Sequence, residues 1–464
     1  MRKATRTISG VTPVAVMAKP HPCPGECVYC PSAENAPKSY TSESPAVLRA
    51  IRCAFDPSEQ VLLRVRSLRD MGHPVDKVEL IIMGGTFLSY PVDYQYWFVK
   101  SCYDALNGVE SDDLAGAKAL NESAALRCVG LCVETRPDWC GEAEVSRLHE
   151  FGATRIELGV QTLDDGIHEL TGRGHGVSAV IEATARLRRH GFKVYYHWMP
   201  GLPGSSPELD LALTRRLFDE AEFRPDGLKL YPTVVVQGTR LEQWFADGRF
   251  RPGSTLEMRD LLIRMKQLVP PYVRIARLMR DIPPRFIVAG CDDLALRGTV
   301  RERMKELGVT CQCIRCREYG HRVRDGWKTG EPELHVLTYD VAEGREVMLS
   351  YEDCRGTLFG LLRLSLLERG AASETAGAKV ATVRELHVFG PEVALGERSI
   401  VAAQHHGLGA ALLREAERIS ATECGVTALR VLSGVGVREY YRNLGYTLED
   451  PYMVKPLAAP AAAR

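Results

Sequence analysis

Short runs of apolar and β-branched residues recur through the first 290 or so positions: Val11–Ala18, Val78–Met83, Cys128–Thr135, Arg155–Gln161, Lys193–Trp198, Gly227–Tyr231 and Val273–Arg277. Between them lie stretches whose apolar positions repeat every three to four residues, such as Glu142–Phe151, Ala179–His190 and Leu209–Ala221. Strands alternating with amphipathic helices predict βα units and a parallel sheet. Their repetition predicts an α/β fold with a full or partial (β/α) barrel, its site at the strand C-termini. Residues Gly108–Leu126, small and acidic, break the rhythm and read as a surface insertion. After Glu331 the pattern changes. Strand-like runs at Glu333–Tyr339, Thr357–Leu364, Lys379–Phe389 and Thr427–Leu432, with a helix over Leu408–Ile419, predict a second α/β domain with an antiparallel sheet. The stretch between, 291–330, is too short for its own hydrophobic core, so a metal staple is expected there. The expected boundaries are 1–290, 291–330 and 331–457, followed by an Ala/Pro-rich tail, 458–464, read as disordered.

Composition narrows the setting. No run approaches the ~20 apolar residues of a membrane helix, and the basic N-terminus carries no secretory cleavage pattern, so a cytoplasmic chain without a membrane partner is expected. Six of the 14 cysteines fall in two tight clusters, which in a large chain read as metal ligands in a reducing compartment. Lys plus Arg and Asp plus Glu both total 59, which taken alone argues against a nucleic-acid partner. The charge is uneven, however. Residues 251–330 hold 17 basic against 9 acidic residues, and residues 1–52 hold 7 against 3. Arg274, Arg277, Arg280 and Arg285 form one group, and Arg315, Arg317, Arg322 and Arg324 another. Arginine suits phosphate contacts, so a basic face is expected near the junction of the two large regions.

The first cluster, Cys23-Pro-Gly-Glu-Cys27-Val-Tyr-Cys30, places three thiols on one loop after a strand. Three thiolates can each hold a different iron of a cubane and leave the fourth iron open to an exogenous ligand. A zinc site completed by His21 is the alternative. The second cluster, Cys311, Cys313 and Cys316, reads as tetrahedral Zn2+, with Cys291, His321 and His21 as candidates for the fourth ligand and an iron–sulfur cluster as the rival. Lys229 lies in an apolar strand and needs a buried partner. Gly407 and Gly409 bare the backbone at a helix start, where successive N–H groups can hold a pyrophosphate.

The C-x3-C-x2-C loop resembles the signature of the radical S-adenosylmethionine superfamily. That resemblance implies a 4Fe-4S cluster, with S-adenosyl-L-methionine contacted by Gly84, Gly85, Thr86, Gln161, Met199, Gly201 and Lys229. Thr86 stands where the family's Gly-Gly-Glu element has Glu. The strand Val383–Phe389, the Gln404-His405-His406-Gly407-Leu408-Gly409 loop and the later Tyr440-Tyr441 pair resemble the GNAT acetyltransferase fold. This implies acetyl-CoA held by Glu385, Leu386, His387, Val388 and the Gln404–Gly409 loop. Tyr440 or Tyr441 would be the acid at the thioester and Glu385 a candidate base. Both signatures in order, with Met83–Phe87, Thr171–His175, Met199–Gly204 and Arg438–Lys455, resemble the catalytic subunits of Elongator, a family of tRNA acetyltransferases. The short Cys23–Cys27 spacing and the missing N-terminal extension depart from the eukaryotic members. The resemblance implies carboxymethylation at C5 of the wobble uridine in the tRNA anticodon stem-loop. It also implies an electron donor, with a homo-dimer or larger complex left open. A protein lysine acetyltransferase with a structural cluster is the rival enzyme, and a non-catalytic RNA-binding scaffold the rival outside catalysis.

Overall fold

The computed structural model describes residues 10–368, 380–390 and 407–457. Its N-terminal strands are β1 (Val11–Met17), β2 (Lys77–Met83), β3 (Arg127–Thr135), β4 (Arg155–Gln161), β5 (Lys193–Trp198) and β6 (Gly227–Leu230). A short β7 (Val235–Val236) precedes β8 (Arg274–Arg277) and pairs with β9 (Ile287–Ala289). Strands β1 to β6 and β8 form one sheet in chain order, and every neighbouring pair is parallel. Among the described residues β1 and β8 do not pair with each other, so the sheet is an open arc.

Side chains of a strand alternate between faces, and β1 and β2 obey this strictly. Val14, Val16, Val78, Leu80 and Ile82 are buried against the helical layer, whereas Pro13, Ala15, Glu79, Ile81 and Met83 line a cavity on the concave side. All seven parallel strands contribute to that cavity, which identifies the arc as a partial barrel. Local chemistry places the helices. Ser206 caps Pro207–Asp219 by accepting from Leu209 N at 3.2 Å, with Pro207 in the first turn. Asp210 on that helix accepts from Gly201 N at 2.8 Å, tying down the loop after β5.

The second sheet comprises β10 (Glu333–Val341), β11 (Gly344–Glu352), β12 (Leu358–Leu367), β13 (Val380–Val388), β14 (Ala428–Val431), β15 (Thr447–Glu449) and β16 (Tyr452–Pro456). Its order is β10-β11-β12-β13-β14-β16-β15. The expectation of an antiparallel sheet needs correction, because β13 and β14 are parallel. The chain crosses over between them and returns through helix Leu408–Arg418, as a parallel pair requires. Their pairing ends at Val383, opposite the last residue of β14, Val431, while β13 continues to Val388. The expected surface insertion, 108–126, lies largely at the surface and is anchored by one helix. Residues Leu114–Asn121 form a helix that buries Ala117, Lys118 and Asn121, and Asn121 Oδ1 accepts from Cys128 N at 2.7 Å at the start of β3.

The second sheet docks at the N-terminal ends of the barrel strands, opposite the cysteine loop that follows β1. Gly434 and Gly436 press on Val129 and Arg127, where an added Cβ at Gly434 would meet Val129 O at 2.1 Å. Tyr452 Oη donates to His190 O at 3.1 Å. At the centre, fully buried Arg384 donates to both Asp226 oxygens at 2.7 Å, to Glu346 at 3.0 Å and to Phe192 O at 2.8 Å. Arg363 bonds Glu385 at 2.8 Å and approaches Asp226 at 3.5 Å. Asp226 directly precedes β6, so one barrel carboxylate gathers two arginines of the other sheet.

Candidate functional site

The barrel cavity holds about 410 Å³ and is lined by Cys23, Cys27 and Cys30 together with Gly85, Thr86, Gln161, Met199 and Lys229. Gly84 and Gly201 sit immediately behind, both at positive φ. Gly84 has φ 151° and leaves 3.0 Å between an added Cβ and Ala18 Cβ, so only glycine closes β2 here. Thr86 Oγ1 lies 3.9 Å from Cys23 Sγ. Gln161 ends β4 at φ 72°, a strained setting for a non-glycine residue that marks functional positions.

Arg173, Arg136, Glu134, Glu157 and Tyr40 also line this cavity, and sequence reasoning had not picked them out. Buried Arg173 donates to Cys27 Sγ at 3.5 Å and to Gly159 O. The hydrogen bond from the Cys30 thiol, and then Arg173 acting against burial, bring Cys27 down to about 4. Arg136 packs so closely on Gly25 that an added Cβ would meet its Nη1 at 2.0 Å. On the floor, Lys229 Nζ binds Glu134 at 3.1 Å and pairs with Glu157. Tyr40 Oη donates to Glu134 at 2.7 Å, and His197 contacts Glu157 at 3.1 Å. Burial opposes the charge on Lys229, but Glu157, Tyr231 and Glu134 outweigh it and hold the ammonium form well beyond its usual range. Glu134, Glu157 and His197 bring ligand atoms within 4.8 Å, but Lys229 supplies the cation there.

Among the described residues, Thr135 Oγ1, Arg136 Nη1, Gln161 Oε1 and Arg173 Nε are buried without a hydrogen-bond partner, and all four residues line the cavity. Buried polar atoms normally find partners. Four orphans around three thiols and two guanidiniums suit an anionic cluster and a polar ligand bound beside it.

On the second sheet, Glu385, Leu386, His387 and Val388 occupy the end of β13 beyond its pairing with β14. Gly407, at φ 69°, caps helix Leu408–Arg418. A Cβ on Gly409 would meet Tyr440 Oη at 2.8 Å and Val388 Cγ2 at 3.6 Å, so strand end, helix start and tyrosine converge. Gln404, His405 and His406 lie outside the described residues. Tyr440 is 41% exposed, whereas Tyr441 is buried in the second core against Tyr446. Glu385 is held by Arg363 at 2.8 Å and Lys193 at 3.7 Å. Against burial, these cations keep its carboxyl far under the usual range, which leaves it weakly basic.

Cys311, Cys313 and Cys316 bring their sulfurs within 4.8 Å of one another, and Lys266, itself buried, donates to Cys316 at 3.7 Å. This tight donor set suits one thiolate-bound ion. Of the fourth-ligand candidates, neither Cys291, His321 nor His21 joins that group. His321 pairs with Glu318 at 3.5 Å, and His21 stacks on Tyr90 beside the first cysteine loop.

Comparison with known proteins agrees with this architecture. Residues 21–213 match the Radical SAM superfamily and residues 225–306 the Radical_SAM C-terminal domain. A tRNA uridine(34) acetyltransferase of Dehalococcoides mccartyi is 58% identical over 98% of this chain and 100% of its own length. Elongator complex protein 3 of Homo sapiens is 41% identical over 98% of this chain and 86% of its own. The solved archaeal Methanocaldococcus infernus Elp3, with residues 1–46 deleted, superposes with a TM-score of 0.86 at 41% identity, covering 97% of this chain and 100% of that one. No helix among the described residues is long and apolar enough to cross a membrane. Radical SAM membership implies a 4Fe-4S cluster and S-adenosyl-L-methionine, and the cysteine loop with its orphaned polar neighbours is where this chain has room for them. A half-barrel of parallel strands carrying that loop, a second sheet docked on its underside and identity across nearly the whole length place the chain in the family of tRNA uridine(34) acetyltransferases and Elongator complex protein 3.

Proposed function

We propose that this enzyme modifies tRNA at uridine 34, the wobble position, starting a carboxymethyl group at C5 from acetyl-CoA. The observation that carries the reading is the single cavity onto which seven strands, three cysteines and four orphaned polar groups converge. When bound, the cluster and S-adenosyl-L-methionine would supply a radical able to take a hydrogen atom from the acetyl methyl, giving a carbon radical that can add to C5 of the uridine. Cys23, Cys27 and Cys30 hold the cluster, and Arg173 compensates its negative charge. Gly84 to Thr86, Gln161, Met199 and Gly201 offer backbone and side-chain contacts to S-adenosyl-L-methionine. The Lys229–Glu157–Glu134 group fixes the floor, so that a base entering the cavity meets a preorganised surface.

Acetyl-CoA lies along Glu385–Val388, where β13 is free of β14, with its pyrophosphate at the Gln404–Gly409 loop. Tyr440, exposed and touching Gly409, protonates the departing thiolate, while Tyr441 supports it from the core. Residues 1–290 thus form the radical domain and 331–457 the acetyl domain, with 291–330 stapled between them by Zn2+ on Cys311, Cys313 and Cys316. A one-electron donor to start the radical, and a water that hydrolyses the thioester as CoA leaves, complete the requirements. The test is anaerobic reconstitution with iron and sulfide, followed by S-adenosyl-L-methionine, dithionite, acetyl-CoA and tRNA, then digestion of the RNA. A carboxymethyl nucleoside from the wild type but not from Cys27→Ala is expected. Acetylation of peptide lysine without dependence on tRNA would instead favour a protein acetyltransferase.

A further inference from the structure

The arginines from Arg274 to Arg324 divide by what they touch. Seven are committed to carboxylates: Arg274 to Glu318, Arg277 to Asp281, Arg285 to Glu43, Arg301 and Arg324 to Asp325, Arg303 to Glu306 and Arg317 to Glu352. Arg322 donates to two carbonyls and stacks on Trp327. Among the described residues, three others pair with no carboxylate. Arg280 donates to Ser39, and Arg297 to Ile275 O at 3.1 Å. Arg315 makes no hydrogen bond or ion pair among the described residues.

These three line one groove of about 570 Å³. Its acidic residues, Glu43 and Asp281, are already taken by Arg285 and Arg277. Arg297 and Arg315 are half-buried, one on helix Leu296–Glu306 and the other between Cys313 and Cys316. Guanidiniums withdrawn from water beside one another repel; the neighbouring Cys313 and Cys316 sulfurs offset this only in part, and an anion in the groove would offset the rest. Arg280 and Arg315 also line the barrel cavity, so the groove opens directly onto the reaction site.

We propose that Arg297 and Arg315, with Arg280 at the shared wall, form a receptor for one backbone phosphate of the RNA strand whose base enters the barrel cavity. This rests on the reading of the chain as a tRNA-modifying enzyme and adds the element that fixes the strand's register. The planar fork of arginine suits a phosphate approached from two sides. Phosphate contacts orient a strand, while pocket contacts read its base.

The experiment measures tRNA affinity against NaCl concentration for the full chain, Arg297→Gln, Arg315→Gln and the double variant. Arg303→Gln, on the same helix as Arg297 but paired with Glu306, is the control. Each single variant is expected to lower the slope of log affinity against log salt by about 0.7 to 0.9, the value of one phosphate contact. Between 50 and 200 mM this is about a threefold smaller loss of affinity. The double variant should lose no more than a single one, because both arginines share one phosphate. Acetyl-CoA binding should be unchanged. Unchanged slopes, an equal drop in Arg303→Gln, or twice the drop in the double variant would overturn the receptor. Weaker acetyl-CoA binding in step would assign the phosphate to the cofactor and overturn it too. A wild type with no salt-dependent tRNA affinity would overturn the tRNA reading itself, whereas a salt-sensitive wild type with unmoved variants overturns only the receptor. Arg297→Gln changes a residue of helix Leu296–Glu306, outside the Cys311–Cys316 loop in sequence, and keeps the test valid if Arg315→Gln fails to fold.

Discussion

Replacing Asp226 with asparagine keeps the side-chain shape and removes one charge from the contact between the two sheets. In the native protein one Asp226 oxygen accepts from Val194 N at 2.8 Å and from Arg384 at 2.7 Å, and the other accepts from Arg384 at 2.7 Å. An asparagine can keep one of these acceptor positions, but its amide faces a guanidinium. Arg384 then shares Glu346, and Arg363 leans on Glu385 alone. Removing one partner of a buried ion pair costs about 3–5 kcal/mol. Unfolding entropy for a chain of this length is about 1 kcal/mol per kelvin, so the apparent Tm should fall by about 3–5 °C.

The assay is thermal unfolding of Asp226→Asn beside Asp219→Asn, a nearby exposed carboxylate. Burial raises the Asp226 carboxyl, but Arg384 and Arg363 outweigh it and hold it low. Its contribution is therefore complete above the ordinary carboxylate pKa of about 3.9 and is lost as pH falls through the lower folded value. The gap between wild type and variant should be flat from pH 8 to pH 5 and close only in acid. A drop no larger than that of Asp219→Asn, or a gap that closes near neutrality, would refute the assignment of this carboxylate as the charged centre of the contact.

Cys313→Ser should reduce bound zinc, measured by mass spectrometry of the purified chain, to a small fraction of the wild-type content and lower the Tm; iron in place of zinc would refute the zinc assignment. Tyr440→Phe should slow acetyl-CoA turnover by about a hundredfold without a change in Tm, and Tyr441→Phe by less than about tenfold, since a positioned general acid contributes at least that larger factor; the reverse order would move the role to Tyr441. Lys229→Met leaves Glu134 and Glu157 side by side without their shared cation. The repulsion between the two carboxylates grows as they ionise, so the Tm deficit should widen as pH rises from 4 to 8, and a constant deficit would mean that packing alone was lost.

The strands of the barrel were readable because each is flanked by turn residues and is apolar where it meets the helices. Strand β11 was not. Glu346 and Ser350 interrupt its apolar run and yet are buried, Glu346 because it meets Arg384 across the sheet contact. A charge that belongs inside looks, in one dimension, like a charge that belongs in water. The cysteine loops were readable because their ligands are close in sequence. Arg173, Glu134 and Tyr40 were not, since each stands alone and reaches the site only through the fold. A signal existed for some of them: Lys229 demanded a partner, and Glu134 and Glu157 are carboxylates within other predicted strands. The zinc candidates outside the tight cluster failed for the same reason, because nothing local tied Cys291, His321 or His21 to it.

The barrel's missing seam has a topological consequence. Ser44 Oγ donates to Asp281 O at 3.2 Å, and Arg280 and Arg285 reach Ser39 and Glu43. These polar contacts bridge the segments after β1 and β8 where a closed barrel would have a ladder of backbone hydrogen bonds. A seam held by a few side chains can part without breaking any strand pairing, which a closed ring cannot do.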